Sequence, residues 1–408
     1  MPDGSSPSTV TSKRLAAGLA AVMTICLSTL AFACPFCGTP TKPLVEQIAE
    51  VDAAILVKWL AGASAKLSDS GSTDVEIVDV MKQPGDSKLQ KGARLRLMRF
   101  RQGKAGDLLL LQGVVGAGNI EWGNPFPITA IGFDYLKNSP PRDLPTTGRL
   151  KYFLKFLESP DELIGDDAFS EFANAPYADV ARLAAELPRE KLRAWITSSS
   201  VRAERVGLYG MMLGLCGTAD DAALMERKIL APTEGFRLGI DGIMGGYLLL
   251  SGERGLAVLD SKFLQDKTAP ATEAIAVLQA IRFLFQYGEN RIGRDRLVES
   301  LRRLLDRPDL ADMVIADLAR MQDWSIQDRL IELYQAEGYE SPAIKRAIVK
   351  FTLTAAKNTN PAQAPGNGDS VSAEPLPEHV VRAQKSLELL ERIDPKRVQE
   401  VRRSFLRK

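Results

Sequence analysis

The residues in this 408-residue chain best suited to chemistry are four cysteines and one histidine, and their spacing restricts what they can do. Cys34 and Cys37 enclose Pro35 and Phe36 in "ACPFCG", directly behind an apolar run. Such a pair serves as a local disulfide, a thiol-redox centre or part of a metal site, and Cys34 is alternatively a lipid attachment point or a partner for a distant cysteine. Thioredoxin-type exchange needs the pair after a strand and at a helix amino terminus, where the dipole lowers the thiol pKa. No strand precedes this pair if the apolar run is removed. Covalent haem attachment needs a histidine after the second cysteine, and Gly38 stands there. A four-cysteine zinc site needs a second pair, which the sequence lacks. In an exported chain the spacing suits a structural disulfide between Cys34 and Cys37, stiffening the entry to the first domain. Cys26 falls inside the apolar run, and Cys216 sits with Leu213 and Leu215 on a helical segment, the setting of an inert thiol.

The lone histidine, His379, flanks a Pro-, Asn-, Gly- and Ser-rich stretch, a poor place for a base that must sit beside a nucleophile in a formed pocket. Neither phosphate-binding glycine motif is present, and "GVVGAGNIEWG" (113–123) reads as a loop because "EWGNPFP" cannot open a helix. The acidic runs "GDDAFSEF" (165–172) and "TADDAAL" (218–224) are expected at helix starts, where Asp caps free amides. No carboxylate pair is singled out, and Tyr247, Trp195 and Trp324 read as core. The expectation is a non-enzymatic protein with no catalytic residues, metal site or cofactor.

The elements that position these residues fall into five parts. Lys13 and Arg14, the apolar stretch Leu15 to Ala33 and the Ala31-Phe32-Ala33 ending make 1–33 a signal peptide, cleaved between Ala33 and Cys34. Lipidation is the minority alternative, since Phe32 stands where a lipoprotein signal carries a small residue; an uncleaved anchor is the other. Residues 34–145 hold a short helix over 43–52 and four strand-like runs, 53–62, 73–82, 93–102 and 107–115, separated by Gly-, Pro- and Ser-rich turns. Consecutive strands without intervening helices predict a small antiparallel β-barrel. From 146 to 356 apolar residues recur at helical steps, and helix pairs repeat at roughly 30–40 residues, which predicts a stacked α-solenoid. Residues 357–376 read as a disordered linker, and 377–408 as a basic, solvated amphipathic helix carrying +4 from Glu378 to Lys408. The fold class expected is therefore α+β and multidomain.

Two resemblances follow from quoted residues. "SVRAERVGLYGMMLGLCGTADDAALMERKI" resembles a HEAT-like repeat, with a first helix, a Gly-x-x-Asp-Ala turn and a second helix. The amino-terminal Cys pair, the short helix, "VEIVDVMKQPGDSKLQKGARLRL" and "GDLLLL" resemble the netrin-like OB-barrel domain of tissue inhibitors of metalloproteinases. That second resemblance implies a barrel, and a zinc-chelating role would fall on Cys34; the spacing is Cys-x-x-Cys where that family has Cys-x-Cys, and the distant partner cysteines are missing. Together the halves are similar to uncharacterised secreted bacterial proteins.

Composition bounds the partners. The formal net charge is +1, from 52 Lys and Arg against 51 Asp and Glu, so no global field steers nucleic acid. The expectation is an exported, periplasmic or extracellular scaffold that binds a protein partner of the cell envelope through its helical surface, touching membrane only if Cys34 is lipidated or the signal is retained. The alternative is a thiol-redox or metal-handling protein using Cys34 and Cys37.

Overall fold

The computed structural model describes residues 34–38, 41–64, 70–116, 118–233, 235–358 and 376–406. The predicted signal peptide, with Ala31 and Ala33, and most of the predicted linker lie outside the described residues. The chain is an α+β protein in which one antiparallel sheet precedes a long series of helices.

After α1 (Leu44–Glu50) come β1 (Ala53–Ala63), β2 (Ser72–Lys82), β3 (Arg94–Leu97), β4 (Leu108–Gly116), β5 (Asn119–Trp122) and the short β6 (Phe126–Pro127). The strand order is β3-β2-β1-β4-β5, with β6 also beside β4. Three strands form a meander and the fourth returns beside the first, which is Greek-key order. The first half of β1, Ala53 to Val57, is apolar without interruption because both its faces are covered. Ile55 and Val57 enter the small core inside the curled sheet with Val75, Ile77, Leu97 and Leu111, while Ala54 and Leu56 join the helical core. Register shifts along β1 against β2 increase the twist and help curl the sheet into a half-barrel with β3 and β5 as its edges.

Two sequence expectations change in the sheet. "GVVGAGNIEWG" is a hairpin and not a loop, with Gly113 opposite Trp122 and Val115 opposite Ile120. Its glycine serves close packing: a Cβ on Gly113 would stand 2.5 Å from the Ile120 side chain. The strand expected over 93–102 leaves the ladder after Leu97, because the next residues are strapped across the end of β2. There the Thr73 hydroxyl donates to the Arg99 carbonyl at 2.8 Å and accepts from the Arg101 N–H at 2.8 Å.

The helices are α2 (Ala130–Lys137), α3 (Thr146–Phe153), α4 (Glu162–Asn174), α5 (Tyr177–Ala181), α6 (Arg189–Thr197) and α7 (Ala203–Cys216). They continue as α8 (Ala219–Leu230), α9 (Ile240–Leu259), α10 (Ala271–Tyr287), α11 (Arg294–Arg303) and α12 (Ala311–Arg320). The series ends with α13 (Gln327–Gln335), α14 (Pro342–Lys357), α15 (Glu378–Ile393) and α16 (Pro395–Leu406). α7 and α9 cross at backbone distance, because Gly207, Gly210 and Gly214 face Gly242 and Gly246. A Cβ on Gly246 would lie 2.0 Å from the Gly210 carbonyl oxygen, and one on Gly214 2.4 Å from the Gly246 Cα.

Buried carboxylates link successive helices to arginines. Asp221 accepts from Arg189 at 2.6 Å, Glu273 from Arg237 at 2.9 Å, Asp260 from Arg296 at 2.6 Å and Asp317 from Arg282 at 2.8 Å. The partners stand 32, 36, 36 and 35 residues apart in the chain, in that order. "TADDAAL" does open a helix, with Thr218 and Asp221 forming a capping box. "GDDAFSEF" instead lies inside α4, whose cap is Asp161.

The carboxy-terminal stretch is packed on the helices and is not the solvated helix expected from its charge. Val380, Ala383 and Leu390 of α15 and Val398 of α16 are buried. His379 stacks on Trp324 with ring centroids 5.9 Å apart, and the Tyr334 hydroxyl donates to Asp394 at 3.1 Å. The apolar stripe finds its partner in α14, which removes it from any surface role. Among the described residues no helix is long and apolar enough to cross a membrane.

Candidate functional site

The sulfurs of Cys34 and Cys37 lie at disulfide distance, 2.03 Å. Cys34 is buried, and its backbone N–H donates to the Ala173 carbonyl of α4 at 3.0 Å. Its own carbonyl accepts from the Cys37 N–H at 3.4 Å. The main-chain groups that the inhibitor resemblance would aim at zinc therefore face α4 and Cys37. A sulfur committed to this bond cannot also carry a lipid thioether. α1 begins only at Leu44, so the pair does not sit at the amino terminus of the helix that follows it, as thioredoxin-type exchange requires.

Between the cysteines, Phe36 enters the helical layer. Its ring meets Phe283 of α10 edge to face at 5.0 Å, and Phe283 in turn meets Tyr177 of α5 at 5.1 Å. Glycines clear the slot: a Cβ on Gly245 would stand 2.7 Å from the tip of the Phe36 ring, and one on Gly207 2.9 Å from the Phe36 carbonyl oxygen. The staple thus holds an aromatic wedge.

One flank of this loop, Pro35 to Gly38, forms a wall of a cavity of about 370 Å³. Opposite it runs the connection between α8 and α9, with Phe236 71% exposed and Leu238 49% exposed. Ile240, Ile275 and Ala276 supply further apolar lining, and Glu204, Asp241, Thr272 and Gln279 the polar groups. Arg237 also lines the cavity, but its guanidinium is engaged by Glu273 and by the carbonyls of Lys228 and Ile229, both at 2.9 Å. Burial pushes the Asp241 carboxyl above its usual range, opposed by the Gly242 N–H that donates to it at 2.9 Å. The chemistry on offer is reception of an apolar group beside a carboxylate.

A second cluster assembles carboxylates that sequence spacing did not single out. Asp167 and Glu171 lie one turn apart on α4 and both are buried. The Tyr135 hydroxyl donates to Asp167 at 2.8 Å, and Arg149 donates to Glu171 at 2.6 Å. Burial pushes the Glu171 carboxyl up to about 7 despite Arg149, raises Asp167 in the same direction, and carries the Tyr135 phenol far above its ordinary value. The groups around them are structural ties: the Leu44 N–H donates to Asp167, and the Thr41 hydroxyl lies 3.0 Å from that of Ser170. This cluster fastens the segment before α1 to α2, α3 and α4.

Cys216 is half-buried at the end of α7, and burial, aided by the Asp221 charge, pushes its thiol up to about 11. Among the described residues no group of three or more His, Cys, Asp or Glu side chains is placed to hold a metal ion. No family model, curated protein or solved structure matches the chain.

Of the residues flagged in the sequence, the structure brings Cys34 and Cys37 together and sends His379 to the opposite end of the helical series, against Trp324. It adds Phe36, Phe236 and Leu238. The available signal was "APTEGFRLG", where a Pro- and Gly-bearing connection carries large apolar side chains that a plain turn does not need.

Proposed function

We propose that this chain is an exported, non-enzymatic protein-interaction or scaffold protein of the cell envelope, holding a protein partner on its helical half. The observation that carries the proposal is the exposure of Phe236 and Leu238 at the rim of an apolar cavity. Large apolar side chains held in water beside a concave apolar wall mark a surface that is completed by another molecule. The strand order supports an OB-like, netrin-like first domain, since five strands in a partly open Greek key are that fold's plan. Arginine–carboxylate links whose partners stand 32 to 36 residues apart, about one helix pair, support HEAT-like units stacked in a solenoid. Export is supported by the leader pattern and by a cysteine pair that suits an oxidising compartment. The test compares the parent chain with Phe236→Ser/Leu238→Ser in envelope extract. The double variant keeps its melting temperature and loses the captured partner at least about tenfold; equal capture by both chains sinks the proposal.

The thiol-redox or metal-handling alternative draws on one observation, the half-exposed Cys37 on the cavity wall. Its test is the reduction potential of the pair with Cys216 blocked. A value below about −300 mV marks an inert structural bridge and removes the redox version.

A further inference from the structure

The residues after β3 form a second surface, at the end of the sheet away from α1 and α2. Those helices hold the other end of β2: Lys82 donates to the Ala49 carbonyl at 2.9 Å, and Lys137 pairs with Asp79 at 2.6 Å. From Lys88 to Lys104 every charged side chain is basic, in a chain with a formal net charge of only +1. Arg96 spends its charge on Asp74, at 2.7 Å and 2.9 Å. Beyond Leu97 the pattern becomes apolar and cationic in alternation: Met98, Arg99, Phe100, Arg101, then Lys104. Met98 is 78% exposed and Phe100 37%.

The cations here are poorly compensated. Arg99 donates to neutral acceptors, the Asn124 side chain and the Trp122 carbonyl. Arg101 and Lys104 are exposed, and the nearby acid is Asp107, whose carboxylate accepts from the Lys104 N–H at 2.7 Å. The loop is also held in shape. The Phe100 N–H donates to the Ser70 carbonyl at 3.0 Å, the Trp59 indole to the Arg101 carbonyl at 3.0 Å, and the Phe100 ring lies over Gly62.

We propose that residues 98–104 seat the protein on an anionic lipid bilayer. Met98 and Phe100 enter the boundary between headgroups and acyl chains, while Arg99, Arg101 and Lys104 meet lipid phosphates. Cations interleaved with protruding apolar side chains satisfy both kinds of group at that boundary. A nucleic acid or another soluble polyanion would pair the cations and leave Met98 in water. This attachment needs neither a lipid on Cys34 nor a retained leader, and it uses none of the cavity residues.

The test is co-sedimentation of the full chain with vesicles of phosphatidylcholine alone and of phosphatidylcholine mixed with phosphatidylglycerol. Because any contribution of the leader is common to every chain, the readout is the difference between parent and variants. Arg99→Gln/Arg101→Gln/Lys104→Gln weakens partition to the anionic vesicles by about fivefold for each cation removed. Met98→Ser/Phe100→Ser weakens it by about tenfold. The charge variant keeps the parent's melting temperature, and Met98→Ser alone, at a side chain 78% exposed, gives the apolar readout if Phe100→Ser lowers it; each variant matches the parent on pure phosphatidylcholine. The proposal is overturned if both variants sediment like the parent on anionic vesicles. It is equally overturned if only the charge variant weakens and Met98→Ser/Phe100→Ser still binds a single-stranded oligonucleotide as the parent does, since the surface is then a polyanion site.

Discussion

The ring of Phe36 stands edge to face against Phe283, 5.0 Å between centroids, although Phe36 precedes the whole sheet and Phe283 lies on α10. The loop closed by Cys34 and Cys37 delivers that ring, and glycines at 207 and 245 make room for it. The wedge matters more to the fold than the sulfur bond that encloses it.

Phe36→Ala therefore destabilises the protein by about 3–5 kcal/mol, the range for truncating a buried aromatic residue. Replacing both cysteines with serine costs only about 2 kcal/mol, because the bond closes so short a loop. Denaturant unfolding of the two variants measures the difference, and the reverse order of costs would contradict the wedge.

Gly246→Ala places a methyl 2.0 Å from the Gly210 carbonyl oxygen, where neither helix can yield without separating. A loss of at least about 3 kcal/mol, or of soluble protein, is expected. Gly235→Ala meets nothing within 4 Å and changes stability by no more than about 0.5 kcal/mol. Parallel melts of both variants check the contrast.

Glu171 supplies a pH signature. Its carboxyl is raised from 4.5 to about 7 in the fold, so the native state keeps a proton that the unfolded chain releases across that window. The contribution of Glu171 to stability thus falls as pH rises from about 4.5 to 7 and is smallest above 7. Buried Asp167 acts in the same direction. Glu171→Gln flattens this part of the stability profile, because the amide has no proton to release on unfolding. Urea midpoints taken across the range report the slope, and an unchanged slope in the variant would falsify the assignment.

Cys216 is expected to resist alkylation. A thiol pushed from 9.0 up to about 11 holds about 100-fold less thiolate near neutral pH. Iodoacetamide should label native protein correspondingly slowly and urea-unfolded protein at the ordinary rate, as followed by intact mass. Fast labelling of the native chain would show the thiol to be exposed.

Two strands were legible to within a residue: "TDVEIVDVMK" marks β2 by the period-two alternation of a half-buried strand, and "DLLLLQGVV" marks β4 as a short continuous apolar run bounded by turns. Two exceptions are β5, whose stretch reads as part of a loop, and β3, which stops at Leu97 although its alternation runs on, since the capture of the Arg99 and Arg101 backbone by Thr73 comes from another strand. The carboxy-terminal helices were legible as helices, whereas their docking on α14 was not. An amphipathic stripe records that a helix has an apolar face, and not what covers it.

The sequence alone determined the local things: a strand-rich part followed by a helical one, a close cysteine pair, and helix caps such as Thr218. These depend on residue types a few positions apart. Only the tertiary structure decided that β4 returns beside β1, that Asp167 receives the N–H of Leu44 across 123 residues, and that Phe36 reaches Phe283. Those pairings are bought with loop-closure entropy and repaid by burial, a balance set by the whole packed chain and written in no single stretch of it.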